Sequence, residues 1–164
     1  MRRDESLPGQ GTPARRSDQS EPRDATRVTA AANAAVRKAL PFGDTQDFDD
    51  VNRGLIASLP DGGVIKNAGG RVVWDLSKYS FVLGQDAPAT VNPSLWRQTQ
   101  LMAVGGLFQV TDRVYQVRSA DLSNVDIIEG ETGLIIVDPL ISAECARAAL
   151  DLYYGHRPAS RWPP

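Results

Sequence analysis

The stretch NVDIIEGETGLIIVDPLISAECARAALDLYY, residues 124–154, decides which fold the chain can adopt. It contains two apolar, largely β-branched runs, Val125–Glu129 and Leu134–Val137, which predict buried strands. The four residues between them have the length of a hairpin loop, and glycine at both ends allows positive φ angles. Asp138-Pro139 then ends the second strand, because proline cannot donate to a strand ladder.

An amphipathic helix is predicted after this strand pair. Ser142 is a suitable N-cap, and Glu144 adds favourable negative charge to the first helical turn. Apolar side chains then recur at helical spacing, which predicts one buried stripe. The stripe consists of Ala146, Ala149, Leu150 and Tyr153. Gly155 and Pro158 are expected to stop the helix.

Two more strands are predicted upstream, at residues 107–111 and 114–118, because apolar and polar side chains alternate there. A short helix over residues 94–104 precedes them, entered through Asn92-Pro93-Ser94 and ended by Gly105-Gly106. From residue 107 the predicted order is strand, strand, loop, strand, strand, helix. This order indicates an α/β class with a partial, α+β-like antiparallel sheet that carries the helix on one face.

The first part of the chain predicts smaller elements. Residues 1–24 hold almost nothing to bury and are expected to form a disordered tail. Residues 25–40 have helical spacing with a thin, alanine-rich face, and Asp24 is a candidate cap. The acidic string DTQDFDD, residues 44–50, lacks the spacing of a calcium loop, so a solvated helix start is the preferred interpretation. Glycine pairs around residues 64–74 predict a short hairpin.

Composition excludes several classes of function. The chain has 164 residues, 18 basic and 20 acidic side chains and a net charge of −2, which gives no general attraction to nucleic acid or membranes. One Cys excludes an intramolecular disulfide, and one His excludes a site of several histidines. No apolar run has the length of a membrane span or of a secretory signal, so a cytoplasmic location is expected by default.

Several strings resemble the N-terminal third of the linear primary-alkylsulfatases. The most distinctive are NPSLWRQTQL (92–101), GLFQVTDRVYQVR (106–118), DLSN (121–124) and IEGETGLIIVDPL (128–140). The resemblance extends back through WDLSKYSFV (74–82) and FDDVNRGLIASLP (48–60) and forward to about residue 158. One departure is Met102, where the family is expected to have a polar residue.

The resemblance implies a metallo-β-lactamase-type αββα domain and the hydrolysis of alkyl sulfates such as dodecyl sulfate. It also implies two zinc ions as cofactors and a dimer, and some members of the family are exported. It divides the chain into a tail at 1–24 and an extension of helix, hairpin and loop at 25–106. The first strands and helix of the catalytic domain follow at 107–158, and a tail that does not look native to the fold occupies 159–164.

The family's T-H-x-H-x-D-H metal motif is not found in this sequence. The expectation is therefore an N-terminal portion that stops before the motif, holds no zinc and is inactive alone. Two alternatives remain open. The chain could work as a split enzyme with a second polypeptide that supplies the metal ligands. It could also be a non-catalytic module that binds a partner or a homologue through its unfinished sheet edge.

Asp138 is the one candidate site residue. The resemblance implies that it lies near the family's metal site and supports its loops by hydrogen bonds without binding metal. Its entire role could equally be to cap the strand-to-helix connection. The other notable side chains receive structural interpretations: a helix-terminal His156, a packed Cys145, solvated Glu129 and Glu131, and core Trp74 and Trp96.

Overall fold

The computed structural model describes residues 23–157, which form a mixed α/β structure with two antiparallel sheets. The strands are β1 (Leu55–Ser58), β2 (Val64–Lys66), β3 (Val72–Asp75), β4 (Gly106–Thr111), β5 (Val114–Arg118), β6 (Val125–Glu129) and β7 (Leu134–Val137). The α-helices are α1 (Arg27–Ala39), α2 (Gln46–Asp50), α3 (Pro93–Met102) and α4 (Ala143–His156). Two 3₁₀ segments, Pro60–Gly63 and Leu76–Val82, complete the regular structure.

The main sheet has five strands in the order β1-β4-β5-β6-β7, all antiparallel to their neighbours. The predicted partial antiparallel sheet is thus confirmed, and β6 and β7 have the predicted bounds. Their hairpin closes with a backbone hydrogen bond from Gly130 N to Gly133 O, 2.8 Å long. The smaller sheet is the predicted hairpin of β2 and β3.

Helix α4 covers one face of the main sheet and forms the core with it. Tyr115, Val117 and Ile127 are fully or almost fully buried beneath it. The predicted stripe is half correct, because Ala149 and Tyr153 are buried while Ala146 and Leu150 lie at its flank. The side chains that complete the buried face are Cys145 and Leu152.

Of the two residues predicted to stop α4, Gly155 was predicted wrongly and Pro158 is not described by the structure. Gly155 does not stop the helix, which continues to His156 and has Arg157 as its C-cap. Glycine lowers helix propensity by only about 1 kcal/mol, so tertiary packing of the preceding turn overrides it. Pro158 lies outside the described residues, as do the tail at 159–164 and residues 1–22 of the expected N-terminal tail.

Strand β1 was not predicted, although the expected extension at residues 25–106 contains it. It pairs with β4, and the backbones approach so closely that a Cβ on Gly106 would lie 2.3 Å from Ala57 O. Only glycine fits there. The extension therefore supplies an edge strand to the main sheet, while the division of the chain at residue 106 stays a prediction.

The N-terminal helix is confirmed as a helix with no buried residue. Its cap is Thr26, whose hydroxyl accepts from Thr29 N, and not Asp24 as predicted. The helix is fastened to the loop before α3 by Asn33, whose amide donates to Ala89 O over 2.8 Å. No helix among residues 23–157 combines the length and apolar character needed to cross a membrane.

The acidic string at 44–50 forms α2 as expected, but it is not entirely solvated. Asp47 accepts a hydrogen bond from Arg97 Nε over 2.7 Å. That bond is the largest influence on the pKa of Asp47, which it lowers. Arg97 also lies over the ring of Phe48, with 5.1 Å to the ring centre. The guanidinium thus neutralises the carboxylate nearest to it and ties α2 to α3.

Strand β7 is exposed, contrary to the prediction of a buried strand. Ile135 is 58% exposed, Ile136 37% and Val137 47%. The prediction was wrong because it relied on the apolar composition of the strand alone. A strand is buried only where other elements pack against it. In the described part of the chain, β7 has β6 on one side and no strand on the other.

Candidate functional site

The connection from β7 to α4 carries the candidate site residue and is conformationally strained. Asp138 is exposed and has φ of 51°, and Leu140 has φ of 72°. Each is a non-glycine residue in the left-handed region, which costs about 1 kcal/mol or more per residue. Two such residues within three positions persist only where the surroundings hold the backbone in place.

A buried carboxylate holds this connection. Asp121, in the loop between β5 and β6, accepts from Ile141 N over 2.6 Å and from Ser123 N over 2.7 Å. It is 7% exposed, so both bonds lie in a poorly solvated environment where they are strong. The carboxylate therefore ties the connection at 138–141 to the loop that precedes β6.

Asp121 was not singled out from the sequence as a site residue, although a local signal was present. In Asp121-Leu122-Ser123 the carboxylate bonds the backbone two residues further on, which is the pattern of an Asx turn. The bond to Ile141 spans 20 residues and has no such local signature.

The start of α4 completes this region, and the structure confirms its predicted cap. Ser142 Oγ accepts from Cys145 N over 3.1 Å. Cys145 is 2% exposed, as expected for a packed side chain, and burial raises the pKa of its thiol. A buried thiol with a raised pKa is a poor nucleophile.

An apolar cavity of about 230 Å³ opens beside Asp121. Trp74 and Tyr79 contribute aromatic rings to it, with ring centres 6.2 Å apart. Trp74 is half-buried and donates its indole N–H to Ser119 O over 2.9 Å. The half-buried Trp96 donates in the same way to Gln85 O over 2.8 Å. The prediction that Trp74 and Trp96 are core residues was therefore wrong, because both lie at the edge of the core, where their indole N–H groups reach backbone carbonyls.

The opposite end of α4 contains the largest correction to a predicted residue. Glu129 was expected to be solvated at a hairpin tip, but it is 4% exposed. It accepts from Tyr153 Oη over 2.9 Å and from Arg157 over 3.0 and 3.1 Å. Glu129 shares the face of Val125 and Ile127, so its side chain points to α4. Glu131, which does lie in the turn, is exposed as predicted.

The pKa values of Tyr153 and Arg157, the two partners of Glu129, follow from this arrangement. Burial, and next the hydrogen bond to Glu129, raise the pKa of the Tyr153 phenol far above its usual value. The hydrogen bond to Glu129 raises the pKa of Arg157. The three groups therefore form an ion pair with a neutral phenol, and this cluster fastens the end of α4 to the end of β6.

The side chains of residues 23–157 are not arranged as a binuclear zinc centre. Asp138 precedes α4, and His156, whose Nδ1 lies 3.0 Å from Leu152 O, ends it. The 14 residues of α4, a helix about 20 Å long, separate the connection that carries Asp138 from His156. Within residues 23–157, no three His, Cys, Asp or Glu side chains come close enough to share a metal ion. The role of Asp138 near a metal site therefore stays a prediction.

Comparison with known proteins gives consistent results from sequence and structure, although no family model matches the chain. A linear primary-alkylsulfatase of a Pseudomonas species is 57% identical over 135 residues, which are 82% of this chain and 20% of the relative. An (R)-specific secondary-alkylsulfatase of Pseudomonas is 55% identical over 134 residues, again 82% of this chain and 20% of the relative.

A yeast relative and a solved structure agree with these. An alkyl/aryl-sulfatase of Saccharomyces cerevisiae is 51% identical over 144 residues, 88% of this chain and 22% of the relative. The structure of a stereoselective inverting secondary alkylsulfatase from Pseudomonas matches with a TM-score of 0.75 and 54% identity, over 83% of this chain and 21% of that one. The chain thus spans about a fifth of the length of the relatives that it matches.

Proposed function

The chain belongs to the alkylsulfatase family over the segment that it matches, and we propose that it serves as the amino-terminal scaffold of a sulfate-ester hydrolase. The observation that carries the proposal is the 54% identity at a TM-score of 0.75 to a solved alkylsulfatase. The proposed substrates of the complete enzyme are linear alkyl sulfates such as dodecyl sulfate. The proposed catalytic domain is of the metallo-β-lactamase type.

The scaffold role rests on what these residues hold together. Asp121 holds the strained connection that carries Asp138, Ser142 caps the start of α4, and Glu129 fastens the far end of that helix. In the proposal, Asp138 supports the loops of a neighbouring zinc site without binding metal. The two zinc ions of the proposed enzyme are held by residues outside this segment, so no catalytic step is assigned to its side chains.

The corresponding experiment measures zinc and sulfate on the purified chain alone. We expect less than one equivalent of zinc by metal analysis and no sulfate from dodecyl sulfate by ion chromatography, because no three His, Cys, Asp or Glu side chains within residues 23–157 come close enough to share a metal ion. The intact linear primary-alkylsulfatase of Pseudomonas is the positive control. Stoichiometric zinc together with sulfate release would overturn the proposed division of labour.

A second candidate function is a non-catalytic module that associates with an intact homologue. The exposed apolar side chains of β7 favour it, because natural proteins normally cover such an edge. Pull-down of the intact alkylsulfatase by this chain, with no change in the rate of sulfate release, is the expected result for this candidate. It is rejected if the intact enzyme fails to bind.

A further inference from the structure

We propose that the apolar cavity beside Asp121 binds the hydrocarbon chain of an alkyl sulfate and leaves the sulfate group outside. The inference rests on the proposed function, which supplies the substrate class, and assigns the chain of that substrate to a site within this segment. The cavity has a volume of about 230 Å³. An apolar cavity of about 150 Å³ holds benzene, so this one has room for roughly nine carbon atoms.

The cavity lies at the same sheet edge as the connection that carries Asp138. Strands β5 and β7 both run antiparallel to β6, so their carboxyl ends meet at one edge. Ser119, which follows β5, lines the cavity there, and Asp138 follows β7. Asp121 also lines the cavity and accepts from Ile141 N in the connection, so it joins the two. A substrate held beside Asp138 can therefore extend its chain into the cavity.

The walls of the cavity favour a hydrocarbon chain. Trp74 and Leu76 contribute half-buried apolar side chains, and Tyr79, Met102 and Leu122 contribute exposed ones. Met102 is 57% exposed and Leu122 is 72% exposed, so apolar surface remains in contact with water around the cavity. Contiguous apolar surface around a concave site is typical of ligand binding, and each CH₂ group that enters is removed from water.

The polar groups that line the cavity are already bonded within the protein. Thr99 Oγ1 donates to Leu95 O over 2.8 Å, and Ser119 Oγ donates to Met102 O over 2.6 Å. The carboxylate of Asp121 accepts from two backbone N–H groups. Among the described residues, no Lys or Arg lines the cavity, and the negative charge of Asp121 repels a sulfate group. The occupant is therefore the uncharged part of the substrate.

Strained backbone at Ser119 is further support for a functional cavity. Ser119 has φ of 63°, which is unfavourable for a non-glycine residue. Its carbonyl accepts from Trp74 Nε1 over 2.9 Å and its hydroxyl donates to Met102 O, so two lining residues hold it in place. Backbone strain that the surroundings maintain in this way clusters at ligand sites.

The test titrates the isotopically labelled full chain with 1-alkanols of increasing length, which are uncharged probes of the cavity. NMR detects binding at the indole N–H of Trp74. The indole N–H of Trp96, which also donates to a backbone carbonyl but lies outside the cavity, is the internal control. Each added CH₂ should tighten binding by up to about fourfold. The gain should stop at roughly nine carbons, where the cavity is full. Octyl sulfate, kept below its micelle concentration, should displace 1-octanol.

Two variants locate the bound chain. Met102→Asn replaces apolar wall by an amide and should weaken 1-octanol binding at least threefold. Ala103→Leu adds carbon atoms to the wall and should shorten the longest favoured alkanol by about three carbons. Leu95→Asn is the matched control, because Leu95 lies on the same helix as Met102, is 61% exposed and does not line the cavity. It should leave binding unchanged. Circular dichroism of each variant verifies that the fold persists.

Each outcome separates this inference from the proposed function. The cavity site is overturned if Trp74 does not respond, if Trp96 responds equally, or if affinity keeps rising with chain length as in unspecific adsorption. It is also overturned if octyl sulfate fails to displace 1-octanol, or if Leu95→Asn weakens binding as much as Met102→Asn. Binding with the predicted limit, together with an enzyme that carries this segment but releases no sulfate, supports the cavity and contradicts the scaffold function.

Discussion

The two ends of α4 are fastened to the sheet by different means. At the carboxyl end, buried Glu129 accepts from Tyr153 and Arg157, and none of these three residues has a positive φ. At the amino end, Asp121 accepts from Ile141 N, in a connection in which two non-glycine residues have positive φ, and Ser142 caps α4 by accepting from Cys145 N. The residues that hold the carboxyl end are unstrained, whereas the connection at the amino end contains two strained residues.

This difference supports the proposed role of the amino end in positioning a site. Strained backbone persists mainly where a site needs a particular geometry, and carboxylate-to-backbone bonds that hold it are correspondingly important. The amino end also lies beside Asp138 and follows the exposed strand β7. We therefore assign stability to the carboxyl end of α4 and positioning to the amino end.

The largest expected effect is at the carboxyl end. Glu129→Ala removes the carboxylate that accepts from Tyr153 and Arg157. The buried phenol and the charged guanidinium then lack their acceptor, which should lower the free energy of unfolding by about 3 kcal/mol. Chemical denaturation monitored by circular dichroism measures it. Glu131→Ala, two residues away in the exposed turn, is the control and should change stability by less than about 0.5 kcal/mol. Equal effects of the two substitutions would show that the cluster contributes nothing.

Asp121→Ala should cause the second largest loss of stability. It leaves the N–H groups of Ile141 and Ser123 without their charged acceptor, which costs about 2 kcal/mol. Unlike Glu129→Ala, it should also speed hydrogen exchange at Ile141 well beyond the change in global stability, because the strained connection loses its support. Exchange at Ile141 that merely follows global stability would contradict the positioning role.

The helix cap contributes less. Ser142→Ala removes a hydroxyl that accepts from Cys145 N, and caps of this kind are worth about 1 kcal/mol. Ser142→Asp retains an acceptor and should restore most of the loss, as thermal unfolding of the two variants can measure. Equal destabilisation by both would indicate that the hydroxyl is needed for a reason other than capping.

The smallest expected effect has the opposite sign. Asp138→Gly relieves a positive φ worth about 1 kcal/mol and increases the entropy of the unfolded chain, for a net gain of about 0.5 kcal/mol. Asp151→Gly, on the exposed side of α4, should instead destabilise by about 1 kcal/mol. Destabilisation by Asp138→Gly of the same size as the control would mean that the connection is not strained.

The sequence could predict the elements whose signals are local. The strands at 125–129 and 134–137, the hairpin between them and the Ser142 cap depend on patterns within a few residues, and all are confirmed. Burial of Glu129 was also accessible in principle, since alternation from Val125 and Ile127 places it on the same face. It was missed because a charged residue beside a turn is usually solvated.

The features of the fold and of the candidate site that the sequence could not predict depend on contacts between distant parts of the chain. Strand β1 joins the sheet through β4, about 50 residues later, and no local pattern encodes that pairing. The bond from Ile141 N to Asp121 has the same character. Exposure of β7 could not be predicted because identical strands are buried or exposed according to what packs beside them.

The central claim, that this chain is a competent alkylsulfatase scaffold, is tested most directly by a chimera. Residues 23–157 would replace the matched segment of the Pseudomonas linear primary-alkylsulfatase, and sulfate release from dodecyl sulfate would be measured. The account predicts a folded chimera whose rate is within about tenfold of the parent, because the scaffold positions the site without performing chemistry. A folded chimera that binds zinc like the parent but releases no sulfate would contradict it.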